Sequence, residues 1–366
     1  MIEKSLCEIS NPKQWKTIST DMLKDEGYPV YGANGIIGYY SEYNHEEKTL
    51  LITCRGATCG SLNICDPYSY VNGNAMALDN LIEEINIHYL YYYLLNRGLN
   101  DAITGTAQPQ IVRQSLQKVV IKYPELEVQH QIVNRLNQVA NLINKRKKQL
   151  EKLDELVKSR FVEMFGDPVV NPKSWETAPL STLIINANNG MARRGKDEDG
   201  SIVLRLVELQ NGFIDYSTPN RICLNETEKK RYELVDNDFL FARVNGNPDY
   251  VGRCAVFKSI DEPVFHNDHI IRVHFDETKI NGFFMSVLLN SDYGKRQMRE
   301  QIKTSAGQYT ISQDGIGAIM AILPPLELQE QFAAFVEQLD KSKFEIKQSL
   351  EKLELLKKAL MQKYFK

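Results

Sequence analysis

The sequence predicts an α+β protein with an internal pseudo-two-fold repeat. Two mixed α/β domains are each followed by a long helix, and the two helices pair as an antiparallel coiled coil. Three observations carry this. Residues 126–132 read LEVQHQI and residues 326–332 read LELQEQF; aligned without gaps, 126–165 and 326–365 agree at thirteen of forty positions, where ordinary composition gives about two or three. Both segments place apolar residues on a seven-residue repeat. Landmarks ahead of each segment recur in the same order. The boundaries that follow are 1–124 for the first domain, 125–165 for its helix, 166–324 for the second domain and 325–366 for the second helix.

Taken in chain order, Tyr31-Gly32-Ala33-Asn34-Gly35 carries an Asn-Gly turn signal between hydrophobic stretches. Thr49 to Thr53 and Val119 to Ile121 read as strands. Ile87 to Leu95, containing HYLYYYLL, reads as a short helix. Its tyrosines sit at helical spacing, so they read as packing rather than base stacking. From Glu125 the apolar residues fall on two heptad series: Ile132, Val139 and Leu153, then Leu136, Ile143, Leu150, Val157 and Met164. Arg146 interrupts the seam, and Lys145 to Lys148 is a solvated basic run. Gly166-Asp167-Pro168 ends the helix.

In the second domain, Phe239 to Arg243 parallels Leu51 to Arg55, each read as a strand ending in arginine. Phe283 to Asn290 parallels Tyr89 to Asn96, NPKSW at 171–175 echoes NPKQW at 11–15, and Ala306-Gly307-Gln308 echoes Thr106-Ala107-Gln108. Pro324 and Pro325 end a strand and start a helix, as Pro124 does earlier. Phe332, Leu339, Ile346, Leu353 and Leu360, with Val336 and Leu350 beside them, form the second seam. A seam this narrow needs a partner helix, and the other copy is the economical one. A helix of ~38 residues is about 57 Å long, a rod that holds two domains apart.

Composition bounds the function. No apolar run approaches the roughly 18–20 residues of a membrane span, and MIEKSLCEIS lacks a signal-peptide core, so the expectation is a cytoplasmic protein with no membrane partner. The six cysteines show no CxxC spacing and read as free thiols. A net charge of −3 and a pI near 6.1 argue against nonspecific coating of nucleic acid, while leaving room for a local basic face or for a partner that supplies phosphate contacts. No dinucleotide-binding, P-loop, HExxH or GxSxG motif is present. His266-Asn267-Asp268-His269, with His274 beyond, resembles a metal cluster, but strand alternation scatters these side chains and a polar turn is the simpler reading. No catalytic residue, cofactor or metal is predicted; two copies of a frame without catalytic motifs favour binding.

Repeated frames with divergent loops suggest two sites of one kind that recognise different things. Arginine matches guanine and Asn or Gln matches adenine through paired hydrogen bonds in the major groove. The candidate DNA-contacting residues are Asn34, Arg55, Asn72, Asn74, Gln108 and Gln110 in the first domain. In the second they are Arg193, Arg194, Lys196, Arg243, Asn245, Asn247 and Gln308.

Two variable domains, each followed by a helix opening PxLExQxxI, resemble the specificity subunit of type I restriction–modification systems. YPVYGANGIIGYY, TAQPQI, FVEMFGDPVVNPKSW and LPPLELQEQF carry the resemblance over nearly the whole chain; the second domain has no YGANG phrase. The resemblance implies a non-catalytic DNA ruler. Each target recognition domain would read one half of a bipartite, asymmetric site in double-stranded DNA, and the antiparallel helices would fix the gap. The helices would also dock two methyltransferase subunits that bind S-adenosylmethionine, and motor–nuclease subunits would join to make the restriction enzyme. A coiled-coil adaptor with two protein-binding domains is the alternative from another class; the recognition subunit of a different restriction system is the alternative within it.

Overall fold

The computed structural model describes residues 1–105, 108–305 and 307–366. Thr106, Ala107 and Ala306, which carry part of one repeated phrase, lie outside the described residues. The chain divides into two compact units, Met1–Lys148 with Lys347–Lys366, and Gln149–Ile346.

Each unit is built from the same set of sheets. In the first, a four-stranded sheet orders Asn11–Gln14, Ala75–Asp79, Leu50–Thr53 and Leu62–Ile64; in the second the order is Ile184–Asn189, Ile270–Phe275, Asp238–Ala242 and Cys254–Val256. A three-stranded sheet follows in each, centred on Tyr28–Gly32 and on Ser201–Leu204. Both contain one parallel pairing at the same place, Val30 with Tyr70 and Val203 with Phe265. An antiparallel pair beside the long helix completes the frame, Ile2–Ser5 with Val120–Tyr123 and Glu176–Pro179 with Met320–Leu323. The central strands are apolar throughout: Leu50, Leu51 and Ile52, like Phe239, Leu240 and Phe241, are at most 1% exposed. That fits a sheet covered on both faces, where strands read as continuous apolar runs. Strand Ile270–Phe275 instead alternates, burying Ile271, Val273 and Phe275 while Arg272 and His274 reach the other side.

Hydrogen-bond register corrects the residue-by-residue repeat. Cys54 N–H donates to Asn74 O (3.1 Å) where Arg243 N–H donates to His269 O (2.7 Å), so Arg243 matches Cys54 and not Arg55. Asn86 caps helix Ile87–Arg97 through the amides of His88 and Tyr89, and Asn281 caps helix Gly282–Asn290 through those of Phe283 and Phe284; Tyr89 therefore matches Phe284 rather than Phe283. The two tryptophan phrases are not equivalent at all. NPKQW lies on strand Asn11–Gln14, the counterpart of Ile184–Asn189. NPKSW follows the first long helix and closes it: Lys173 Nζ donates to the carbonyls of Glu163 and Met164, and the Trp175 indole donates to Phe165 O at 2.9 Å. Each of these satisfies a carbonyl that a helix end leaves open. Gly166, at φ +80°, makes the stop expected of it.

The predicted long helices are present as Leu126–Phe165 and Leu326–Tyr364. Within each unit the segment of one runs antiparallel to the segment of the other. In the first unit Arg135 reaches the Tyr364 hydroxyl (3.1 Å) and Lys147 lies 3.6 Å from Glu354. In the second, Asp154 pairs with Lys343 at 2.8 Å and Phe161 packs edge-on against Phe332. Ile132, Leu136, Val139, Ile143 and Val157 are buried as the seam requires. Residues off the narrow seam are buried too, Val133, Phe161 and Phe165, because each helix end also covers a domain core.

The repeated phrase has a structural job. Gln129 and Gln329 are both fully buried. Gln129 Oε1 accepts from Asn86 N–H (2.9 Å) while its Nε2 donates to the carbonyls of Glu84 (2.9 Å) and Pro124 (2.8 Å). Gln329 makes the same three bonds, to Asn281 N–H (2.9 Å), Lys279 O (3.1 Å) and Pro324 O (2.8 Å). One side chain thus bolts the start of a long helix to the cap of the short helix in its own domain. Phe365 packs on Tyr89, and Phe165 packs on Phe284, completing the match.

Candidate nucleic-acid interface

In the first unit the Leu50–Thr53 strand runs out into a loop at Cys54–Gly60. Arg55, exposed, bridges to Gln110 in antiparallel fashion, and Ile111 N–H donates to Cys54 O at 3.0 Å. Gln108 is exposed just ahead of that strand. Asn74, exposed, sits on the other neighbour, since its carbonyl accepts from Cys54 N–H. Asn34 lies in the turn joining Tyr28–Gly32 to Gly35–Tyr40, the Asn-Gly hairpin read from the sequence. The Thr53 hydroxyl donates to Ala33 O, which ties that turn to the same loop. The fold therefore gathers Asn34, Arg55, Asn74 and Gln110 from four stretches of chain.

Asn72 does not join them. It is 4% exposed, and its amide is spent on Ile18, accepting from the backbone N–H and donating to the carbonyl, each at 3.2 Å. A side chain bonded at both ends within the fold braces the loop and presents no edge to a base.

The second unit places Arg243 at the matching strand end. Arg243 Nη1 donates to Asp268 O at 3.1 Å, and its carbonyl accepts from Ile311 N–H. Arg194 converges on the same turn. Its Nη2 lies 2.7 Å from Asp268 Oδ1, an ion pair rather than an aligned hydrogen bond, and 3.1 Å from His269 Nε2. A guanidinium only donates, so that ring nitrogen accepts and His269 is neutral there. Burial chiefly holds His269 below its usual range; Asp268 acts against this, and Arg194 and Arg243 with it. Asn245 pairs with Tyr309 next to exposed Gln308. Lys196 is exposed within the 192–199 loop.

Arg193 is separated from this group. Its Nη2 donates to Glu228 Oε2 (2.9 Å) and to Cys223 O, fastening the loop to helix Glu226–Tyr232. The amide oxygens of Asn245 and Asn247 accept the backbone N–H groups of Asn247 (2.9 Å) and Asp249 (3.0 Å). Each oxygen keeps a second lone pair and each Nδ2 its donors, so the local bond orients the amide and leaves it able to pair with adenine.

Sequence reasoning missed Asp268 and His269 as members of the site, reading them only as a polar turn. They join it because that turn lies across the end of the central strand. The other histidines of the phrase have separate partners: His266 Nδ1 lies 3.2 Å from Tyr232 O, and His274 Nδ1 lies 3.1 Å from Asp238 Oδ1. Among the described residues no group of three or more His, Cys, Asp or Glu is arranged to hold a metal ion, and no helix is long and apolar enough to cross a membrane.

Comparison with known proteins agrees with this architecture. The chain is 26% identical over 328 residues to the type I restriction enzyme StySPI specificity subunit of Salmonella potsdam, covering 85% of this chain and 68% of that one. It is 22% identical over 298 residues to the EcoKI specificity subunit of Escherichia coli K12, covering 76% and 64%. The chain thus spans about two-thirds of the length of these relatives. The fold matches the crystal structure of the type I restriction–modification S subunit from M. genitalium, with a TM-score of 0.66 at 16% identity over 100% of this chain and 96% of that one. The family model for the type I restriction modification DNA specificity domain matches twice, at residues 3–152 and 198–357, once for each copy of the frame. The chain belongs to that family.

Proposed function

We propose that this chain is the DNA-reading, non-catalytic subunit of a type I restriction–modification complex in the cytoplasm. Residues 1–124 and 166–324 are its target recognition domains, and the helices of 125–165 and 325–366 are its spacer. One observation carries the reading. The same frame presents, at the end of the same central strand, Arg55 and Gln110 in one unit and Arg194 and Arg243 in the other. An identical scaffold with different base-reading chemistry is what two halves of an asymmetric site require. The base-contacting groups are Asn34, Arg55, Asn74, Gln108 and Gln110 for one half-site. For the other they are Arg194, Lys196, Arg243, Asn245, Asn247 and Gln308, with Arg193 setting the loop.

The partners are those that the family resemblance implies. A net charge of −3 is compatible with partner subunits that add phosphate contacts to those of this chain. Two methyltransferase subunits, each with S-adenosylmethionine, close around the duplex, and motor–nuclease subunits complete the restriction enzyme. Exposed Leu142, Leu355 and Leu356 in the first unit, and Leu156, Val162 and Phe344 in the second, offer apolar surface along the helices for docking.

The test is methylation profiling of the chain with its methyltransferase on a randomised duplex library. Wild type should select one bipartite sequence. Arg243→Ala should relax one position of one half-site, at a cost of roughly 1–3 kcal/mol, and leave the other half-site unchanged. No sequence preference by the wild-type complex, or equal relaxation of both half-sites, would overturn the reading.

A further inference from the structure

The second unit holds a cleft of about 190 Å³ between the Pro248–Arg253 loop and helix Asp292–Gln301. Gly252, at φ +80°, lets the loop lie directly on Met298; a Cβ there would collide with the methionine sulfur. Three cations line the cleft against one carboxylate: Arg253, Lys295 and Arg299 against Asp249. Lys295 and Arg299 share one helix face at a spacing of four. Arg299 lies 2.6 Å from Asp249 with both side chains more than half exposed, a pair that solvent screens and an incoming anion can share. Lys295 has no ion-pair partner among the described residues.

Arg253 is the telling group. Its guanidinium lies 3.8 Å from the centre of the Tyr250 ring, which fixes its plane. One Nη reaches Gln210 Oε1 over a long 3.4 Å, and its Nε is buried with no hydrogen-bond partner. A buried donor without an acceptor is costly in a finished fold; the Nε is closed to solvent as it stands, and a small shift of the guanidinium toward an anionic oxygen in the cleft would relieve that cost.

Position decides which anion. The loop that forms the cleft opens with Asn245 and Asn247, two of the candidate base contacts. What lies beside a base edge in DNA is the backbone. We propose that this cleft seats one backbone phosphodiester next to the half-site read by the second unit, as an anchor that positions without reading sequence. The proposal rests on the DNA-recognition reading above. It also predicts asymmetry. By strand register Arg253 matches Ser61 in the first unit, and no helix separates Ile87–Arg97 from strand Ile103–Thr104 there, apart from the short turn Asn100–Ala102. That unit lacks this cradle among its described residues.

The experiment measures DNA affinity of the chain with its methyltransferase against salt, for wild type, Arg253→Gln, Arg253→Lys and the surface double variant Lys295→Gln/Arg299→Gln. Thermal melts verify folding, and the surface double variant carries the test if Arg253→Gln fails to fold. Each lost phosphate contact should lower the salt slope by about 0.9, so that raising salt fourfold weakens a variant about three- to four-fold less than wild type per contact. Arg253→Lys should keep most of the slope, and the methylated sequence should not change. A duplex with one neutral methylphosphonate beside the second half-site should weaken wild type but not the variants. The same change beside the first half-site should leave wild type and variants in the same ratio to one another. An unchanged slope, a changed methylation sequence, or loss of methyltransferase binding without loss of DNA affinity would overturn the proposal; the last would assign the cleft to an acidic protein surface. A wild-type complex with no sequence preference would instead sink the recognition reading itself.

Discussion

Gln129 and Gln329 show what one residue contributes. Each is fully buried and holds three backbone groups that have no other partner among the described residues. A stranded buried group costs roughly 1–3 kcal/mol. Gln129→Ala and Gln329→Ala should therefore each lose about 3 kcal/mol or more, read as a lowered denaturation midpoint, and the two losses should be similar. A loss below ~1 kcal/mol for either would mean that water replaces the side chain. His266 makes a second case. Burial pushes its pKa down to about 4, so the folded state keeps the ring neutral while the unfolded chain binds a proton below about 6.5. Between those values the unfolded state holds more protons, so this group's stability is present above pH ~6.5 and is lost as pH falls toward 4. The loss should be roughly 3 kcal/mol. His266→Leu should flatten that part of the stability curve relative to wild type; parallel curves would refute the assignment.

At the scale of elements, the long helices do two jobs with one pattern. The seven-residue seam pairs them, while the wider apolar ends, with Phe161 and Phe165 or with Met361 and Phe365, belong to domain cores. The sequence shows the seam because its period lasts for many turns. It does not show which residues widen it, because that depends on what the helix end covers. If the helices measure DNA, removing one heptad from each, 146–152 with 346–352, keeps the seam in phase and shortens the rod by about 10 Å. The preferred spacer should then shrink by about three base pairs at 3.4 Å each, with some weakening since that is about a third of a helical turn. Methylation profiling on spacers of varied length gives the readout. A folded deletant that kept its original spacer would show that the helices do not set the gap. Removing four residues should break the seam and unfold the pair.

For the whole molecule, the sequence by itself determined the repeat, the α+β class, the helices and the buried tyrosines of Ile87–Arg97. Each is written in local signals: periodicity, turn chemistry, caps and residue type. Tertiary structure decided which repeated words are equivalent. NPKQW and NPKSW share letters but occupy a sheet strand and a helix stop, and Arg243 matches Cys54 rather than Arg55. Strand register is fixed by long-range hydrogen bonds that neither segment encodes alone, so similar strings can settle one residue, or one element, apart. It also decided which polar residues face outward. Asn72 turns in to brace Ile18, Arg193 fastens a loop, and Asp268 and His269 enter the site from a turn remote in sequence. A side chain's chemistry is legible in its letter; its availability depends on which backbone groups the fold leaves unsatisfied beside it, and only the folded chain sets that.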